Sequence, residues 1–299
     1  MRNRIAIAAA VALCCLAAAG CGLGAGEETG EAELRITRGG GAVEMVAPEW
    51  HDIRESDTVL RLTERNAEIE TRYSGGFVQS IDGVEGGREL GRLTDWFYSV
   101  NGVEVGTGAA DYVLRDGDRV WWDHREWNDA MRIPANVGVF PEPLLSGYEG
   151  EDHPVALTCF GPTGCEPLEE RLADVGVEPD FSPKPDSIRI LAGPWRHIRA
   201  DPAARLIEAG PAQSGVFADM VRGEDGWELS LLNVRGVEAE RRRAGAALVA
   251  AVRLNEDPPT WLVTGTDQRG YLNAMRLVDE EHLSGRYAVG PGGVALPLP

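Results

Sequence analysis

The pattern of apolar and polar positions starts with Arg2 and Arg4 and then sixteen uninterrupted apolar residues, Ile5 to Gly20. Sixteen is short for a membrane span, which needs roughly twenty. A basic start, an apolar middle and small residues after it describe an export signal over 1–20, with a retained membrane helix as the alternative. Residues 21–30 form a small, polar tether. Alternation then sets in. Leu34 and Ile36 predict a strand running into the turn Gly39-Gly40-Gly41, and Val43, Met45 and Ala47 the return strand. Ser56 or Asp57 can cap a helix with Val59, Leu60 and Thr63 on one face and Ala67 a turn further on. Short β-type runs follow at 69–73, 76–81 and 95–100. Asn101-Gly102 is the strongest hairpin signal in the chain, and a strand over 119–123 closes the series. Two strands, a helix and several more strands predict a small β-grasp-like α+β domain over residues 31–150.

The segment Ile133 to Pro143 is apolar yet irregular, because its prolines forbid a helix. It reads as an extended arm packed along one domain, with the boundary placed in Ser146 to Pro154. From 151 to 299 strand and helix patterns alternate, which predicts an α/β layered domain. Strands are expected at 155–160, 187–191, 215–220, 227–233, 246–254 and 260–264. Helices are expected at 166–175, from Asp201-Pro202 to Glu208, and from Asp267 to about Glu281. Three of these strands end in glycine loops, Gly161 to Gly164, Gly193 to Trp195 and Gly265 to Asp267. Such loops can line one rim of a sheet, with Thr266, Trp195 and Arg196 projecting there, or simply turn the chain.

Composition narrows the picture. With 48 acidic and 29 basic residues the net charge is −19, which repels phosphate backbones and argues against nucleic acid as a partner. The single lysine, Lys184, sets off a set of bases that is otherwise all arginine. Cys14, Cys15 and Cys21 lie in or at the edge of the apolar start, so only Cys159 and Cys165 remain for the folded part. Outside the cytoplasm an isolated pair usually forms a disulfide; a free buried pair, or a metal or redox role, is the alternative.

Two resemblances follow from these residues. Ala18-Ala19-Gly20-Cys21 resembles a bacterial lipobox, with Ala18 at the place where leucine is commoner. The resemblance implies cleavage before Cys21, acylation of that cysteine with chains such as palmitate, and a protein lipid-anchored to the extracytoplasmic face of the cell membrane; a plain secretory peptide is the alternative. In the first domain, Tyr73 with Gly75 to Gly83, the hairpin segment Trp96 to Gly102, and Gly108 to Tyr112 with Asp116-Gly117-Asp118 and Trp127 resemble the C-terminal β-domain of transcobalamin and intrinsic factor. The likeness covers about residues 31–130, and no family is evident in 151–299. It implies a β-grasp-like fold and a ligand-binding protein, with cobalamin a conceivable ligand. Nothing in the chain resembles the helical barrel that completes the cobalamin site in the vertebrate proteins.

Candidate chemistry is sparse. Trp96, Phe97, Tyr98, Trp121, Trp122 and Trp127 cluster within 32 residues. Alternation puts Trp96 and Tyr98 on one face of their strand, and Trp121 and Trp122 on opposite faces of theirs. One of that pair should be core and the other outside or at an interface. Trp96, Tyr98, Trp121 and Trp122 are the candidate ligand-binding residues, for a small planar ligand or corrinoid; core packing is the competing role. His124 among Asp118, Asp123, Glu126 and Asp129 matches no metal-loop spacing and reads as a solvated acidic strand end, so no metal site, cofactor or catalytic residue is expected. No nucleotide or nucleophile motif is present. The expected function is non-catalytic extracytoplasmic binding, with a small planar ligand or a transport component as partner and the membrane held through the N-terminal lipid. The alternative is a cell-surface interaction module docking to an envelope protein or cell-wall polymer.

Overall fold

A computed structural model of the chain describes residues 26–73, 76–161 and 164–299. It is mixed and strand-rich, 40% strand against 17% helix, so sheets rather than helices set the architecture. Cys21 and the apolar start lie outside the described residues, and among those described no helix is long and apolar enough to cross a membrane.

The first half begins with the hairpin β1 (Glu28–Arg38) and β2 (Val43–Arg54), then helix α1 (Val59–Asn66). The helix is capped by Thr58, whose side chain accepts from Arg61 N, and not by Ser56 or Asp57. Asp57 instead accepts from Arg54 N and pairs with Arg65 at 2.8 Å, which serves the strand-to-helix turn rather than the helix end. Strands β3 (Ile69–Arg72), β4 (Phe77–Ile81) and β5 (Val84–Glu85) form a small three-stranded sheet. Then come β6 (Gly87–Glu89), β7 (Arg92–Val100), β8 (Val103–Glu104) and β9 (Arg119–Glu126). In the main sheet the order is β2-β1-β9-β7-β6, with β8 paired to β7 and β1 parallel to β9. Asn101 (φ 52°) and Gly102 (φ 75°) both take positive φ, as the tight turn between β7 and β8 requires.

Alternation gives this sheet two unlike faces. Ala32, Leu34 and Ile36 of β1, Val120 and Trp122 of β9, and Trp96 and Val100 of β7 pack against Val59, Leu60 and Leu62 of α1. Burying each of these large side chains stabilises by about 2 kcal/mol. The opposite face carries Glu33, Arg35, Thr37, Arg119, Trp121, Asp123 and Arg125, all buried but the intermediate Arg119. A face this polar is buried only because the second half covers it.

The second half contains β10 (Val155–Cys159), α2 (Glu166–Asp174), β11 (Ile188–Pro194), β12 (Ala218–Arg222), β13 (Trp227–Leu232) and β14 (Glu238–Arg242). Then follow β15 (Ala247–Val252), β16 (Thr260–Gly265), α3 (Gln268–Met275), α4 (Glu280–Leu283), β17 (Ala288–Val289) and β18 (Ala295–Leu296). Its main sheet runs β10-β11-β16-β15-β17-β18, parallel from β10 to β16 and antiparallel beyond. All six residues of both β15 and β16 are buried, as expected for strands covered on both faces. One face packs on α2, α3 and the arm, through Val137, Phe140, Leu144 and Tyr148. The other packs on β12 and β13 and on Trp195, Ile198 and Ile207. The regular strand–helix alternation expected from the sequence holds for β10-α2-β11; beyond that, antiparallel strands take over. Between β11 and β12 the expected 201–208 helix is a 3-10 turn, Ala204–Ala209.

The arm therefore joins the second half's core while remaining tied to the first. Asn101 Nδ2 donates to Gly147 O and to Asp118, both at 3.1 Å. Asp118 is 4% exposed, and burial raises its pKa from 3.8 to about 6 against the pull of its hydrogen bonds from Arg115 N and Asn101. The folded state thus holds the proton more tightly than the unfolded chain, so Asp118 subtracts stability as pH rises from about 4 to about 6. Asp118→Asn removes that titration. The stability of the variant relative to the native chain should rise across this window by on the order of 2 kcal/mol, measured by urea melts at pH 4 and 7. A pH-independent difference would show that Asp118 does not titrate there.

Cys159 and Cys165 are bonded to each other, joining the end of β10 to the N-cap of α2. Closing so short a loop contributes about 2 kcal/mol on the chain-entropy estimate. Reduction, or a Cys159→Ser, Cys165→Ser double change, should lower stability by about that amount, and native protein should show no free thiol among these two.

Candidate functional site

Strands β10, β11 and β16 run parallel side by side, so Gly161, Gly193 and Gly265 lie toward one rim, but of the three side chains expected to project there only Arg196 is exposed. Trp195 is fully buried, and its Nε1 donates to Glu208. Thr266 is 6% exposed and accepts from Ala246 N. Asp267 caps α3 by accepting from Gly270 N at 2.8 Å. The loops turn the chain and seat helices; Arg196 alone of the three is exposed.

The sequence-predicted aromatics divide between the two faces of the first sheet. Trp96, Tyr98 and Trp122 come together on the α1 side, where they line a pocket of about 190 Å³ with Phe77 and Val105. Their polar ends are already engaged. Trp96 Nε1 donates to Val84 O at 2.8 Å, Trp122 Nε1 to Thr63 Oγ1 at 3.0 Å, and Tyr98 OH to Thr107 O at 2.7 Å. The Tyr98 and Trp122 rings lie 4.9 Å apart, and burial pushes the Tyr98 hydroxyl pKa up. Trp96 and Trp122 are 5% and 2% exposed, so a ligand there would touch mainly Tyr98 and Phe77.

Trp121 points the other way and is not brought to that pocket. It is 2% exposed and packs on Tyr287, ring centroids 4.9 Å apart, in a cluster with Ile133, Val139, Phe217 and Leu232. This cluster is the seam between the halves. Beneath it Asp123, expected to be a solvated strand end, is 2% exposed. Its carboxylate accepts from Thr37 Oγ1 (2.6 Å), Tyr287 OH (2.8 Å), Gly40 N (2.9 Å) and Gly41 N (3.2 Å). Thr37 Oγ1 in turn accepts from Trp121 Nε1 at 2.8 Å. At Gly41 (φ 82°) a Cβ would lie 2.0 Å from Gly285 O, so only glycine lets the two backbones approach here.

Beside this seam, at the carboxyl ends of β1 and β9, lies a cleft of about 290 Å³ lined by both halves. Val43, Ile133, Phe217 and Tyr287 supply apolar walls, and Arg92 and His124 polar ones. Arg92 is paired with Glu126 and Asp129. His124 is 8% exposed, contacts Glu85 O at 3.1 Å, and is held below its ordinary pKa chiefly by burial, so it is neutral at pH 7. Arg125, which also lines the cleft, lies 3.9 Å over the Phe97 ring and donates to Ala130 O and Met131 O. The sequence offered no signal for this cleft, because its walls come from segments up to 259 residues apart, Arg38 to Pro297. Among the described residues the one cluster of metal-ligating type is Cys159, Cys165 and Glu169, and its two sulfurs are bonded to each other.

Fold and cleft together define a strand-rich protein whose two halves meet around a small cavity. Residues 56–126, from just before α1 to the end of β9, match a family model described as a domain of unknown function, DUF4430. No curated protein matches the chain. Among solved structures it is similar to a proposed metal binding protein from Ruminococcus gnavus, at 16% identity and a TM-score of 0.25, over 32% of this chain and 97% of that one. It is also similar to haptocorrin in complex with Cbi, at 16% identity and a TM-score of 0.25, over 33% of this chain; the match spans 26% of the haptocorrin chain.

Proposed function

We propose that the chain is a non-catalytic binding protein, lipid-anchored through Cys21 on the extracytoplasmic face of a cell membrane, and that a small ligand occupies the cleft at the seam. The observation that carries this reading is the cleft itself: about 290 Å³, walled by Val43, Ile133, Phe217 and Tyr287 from both halves, with Arg38, Arg92, His124, Arg125 and Arg235 among its polar lining. Ligand sites usually measure about 300–1,000 Å³, which the cleft approaches and the aromatic pocket does not. A corrinoid, the ligand that the transcobalamin resemblance suggests, would insert only an edge and lie across the mouth.

A thermal-shift screen of the full chain in detergent, with corrinoids, metals and sugars, tests the reading. A ligand at a hundred times its Kd stabilises by about 2.7 kcal/mol, a rise of about 4 °C for a chain of this size. Val43 lines the cleft and is 50% exposed, so Val43→Trp should block the cleft, abolish that rise and leave the ligand-free melting temperature unchanged. A ligand whose affinity survives Val43→Trp does not bind here. Docking to an envelope protein or cell-wall polymer is the second reading, favoured by edge strand β2, which exposes Val43 and Trp50. On that reading Trp50→Ala weakens retention by isolated cell wall and leaves small-ligand stabilisation intact.

A further inference from the structure

Arg35 sits midway along β1, on the face that carries Trp121, and is 7% exposed. Among the described residues no carboxylate comes within ion-pair distance of it. Its Nη2 donates to Ser284 Oγ at 2.8 Å, and its Nε is buried without an acceptor. Of the nearby acids, Arg119 takes Glu33 at 3.7 Å and Glu280 at 3.4 Å, and Glu44 stays exposed at the rim of the cavity beside it. A cation taken out of water without a direct ion-pair partner is costly, offset here only in part by the fields of Glu33, Glu44 and Glu280. In a chain with 48 acidic and 29 basic residues the missing partner is not a matter of supply. Burial accordingly holds the Arg35 guanidinium below its ordinary pKa.

The guanidinium borders a cavity of about 450 Å³ between the halves, lined also by Thr37, Glu44, Ser284, Arg286 and Val294. Arg286 too lacks a carboxylate partner among the described residues; its Nη1 donates to Gly293 O. Ser284 Oγ accepts from Arg35, so its own proton remains to be donated, and no acceptor for it lies among the described residues. The free Nε–H of Arg35, the Ser284 hydroxyl and the N–H groups of Arg286 other than the Nη1 one on Gly293 O put donors from three side chains around one cavity. A planar carboxylate matches the fork of a guanidinium. Glu44, exposed at the rim, disfavours a dianion.

We propose that this cavity binds a small molecule through a single carboxylate, set against Arg35 Nε and the Ser284 hydroxyl, with Arg286 at the mouth. The site adjoins the cleft at the ends of β1 and β9, sharing Gly40 and Pro297 with it, but Arg35, Ser284 and Arg286 line this cavity alone. The test is calorimetry and thermal shift on the full chain in detergent, at fixed ionic strength, with acetate and butyrate as carboxylates and chloride and inorganic phosphate as controls. The carboxylates should bind and raise the melting temperature, and chloride should do neither. Arg286→Gln and Ser284→Ala should each weaken carboxylate binding about tenfold. Arg35→Met should abolish it while keeping or raising the ligand-free melting temperature, because a buried charge with no direct ion-pair partner is removed. Val43→Trp should leave carboxylate binding unchanged, which separates this site from the cleft. No carboxylate binding, or binding that survives both Ser284→Ala and Arg286→Gln, overturns the proposal. Phosphate binding more tightly than either carboxylate overturns the carboxylate assignment.

Discussion

Trp121→Ala should destabilise the chain by about 3–5 kcal/mol, the usual cost of truncating a fully buried tryptophan. The indole fills the seam between Tyr287, Ile133 and Val139, and the removed ring leaves a void that two separately built sheets cannot easily close. The change also deprives Thr37 Oγ1 of its donor. For a chain of 299 residues the melting temperature should fall by roughly 5–8 °C. Thermal and urea melts give the stability, and ligand titration on the surviving fold gives the affinity. A variant that keeps its melting temperature and loses affinity would restore Trp121 as a ligand-facing residue and remove it from the seam.

Asp123→Ala should cost about 3 kcal/mol. Four donors converge on the carboxylate, and deleting it leaves two backbone amides and a tyrosine without their acceptor and Thr37 with only Trp122 O, at 3.3 Å. Each orphaned group costs about 1–3 kcal/mol, reduced where water can enter. Tyr287→Phe removes one donor and keeps the acceptor, so it should cost about 1 kcal/mol. Combining the two changes should cost less than their sum, since each removes one end of the same hydrogen bond. Additive costs measured by urea melts would mean that the carboxylate does not hold the tyrosine.

Legibility from sequence was highest where the information is local. The Asn101-Gly102 turn, the hairpin of β1 and β2, and the buried runs of β15 and β16 follow from dihedral preference and apolar period. The opposite facing of Trp121 and Trp122 follows from the pleat alone. It did not say which indole met the second half, and the structure gives that place to Trp121. Asp123 looked like a solvated strand end because nothing nearby in sequence shows that Tyr287 covers it. The helix cap shifted to Thr58 because three adjacent polar residues, Ser56 to Thr58, can all serve, and tertiary ties claimed Asp57. The cleft and the cavity at Arg35 were invisible, since both are made by segments far apart in the chain.

The bond from Tyr287 to Asp123 spans 164 residues. Bringing such distant points together costs on the order of 4–5 kcal/mol of loop-closure entropy, recovered only once the second half is in place. The first sheet can therefore form early with Trp121 still in water, and the closing of the seam should come late, after nearly the whole chain has emerged. Run in reverse, the seam is the natural place for the native protein to part first. In native-state hydrogen exchange the amides of Gly40 and Gly41 should open at lower free energy than those of β15 and β16.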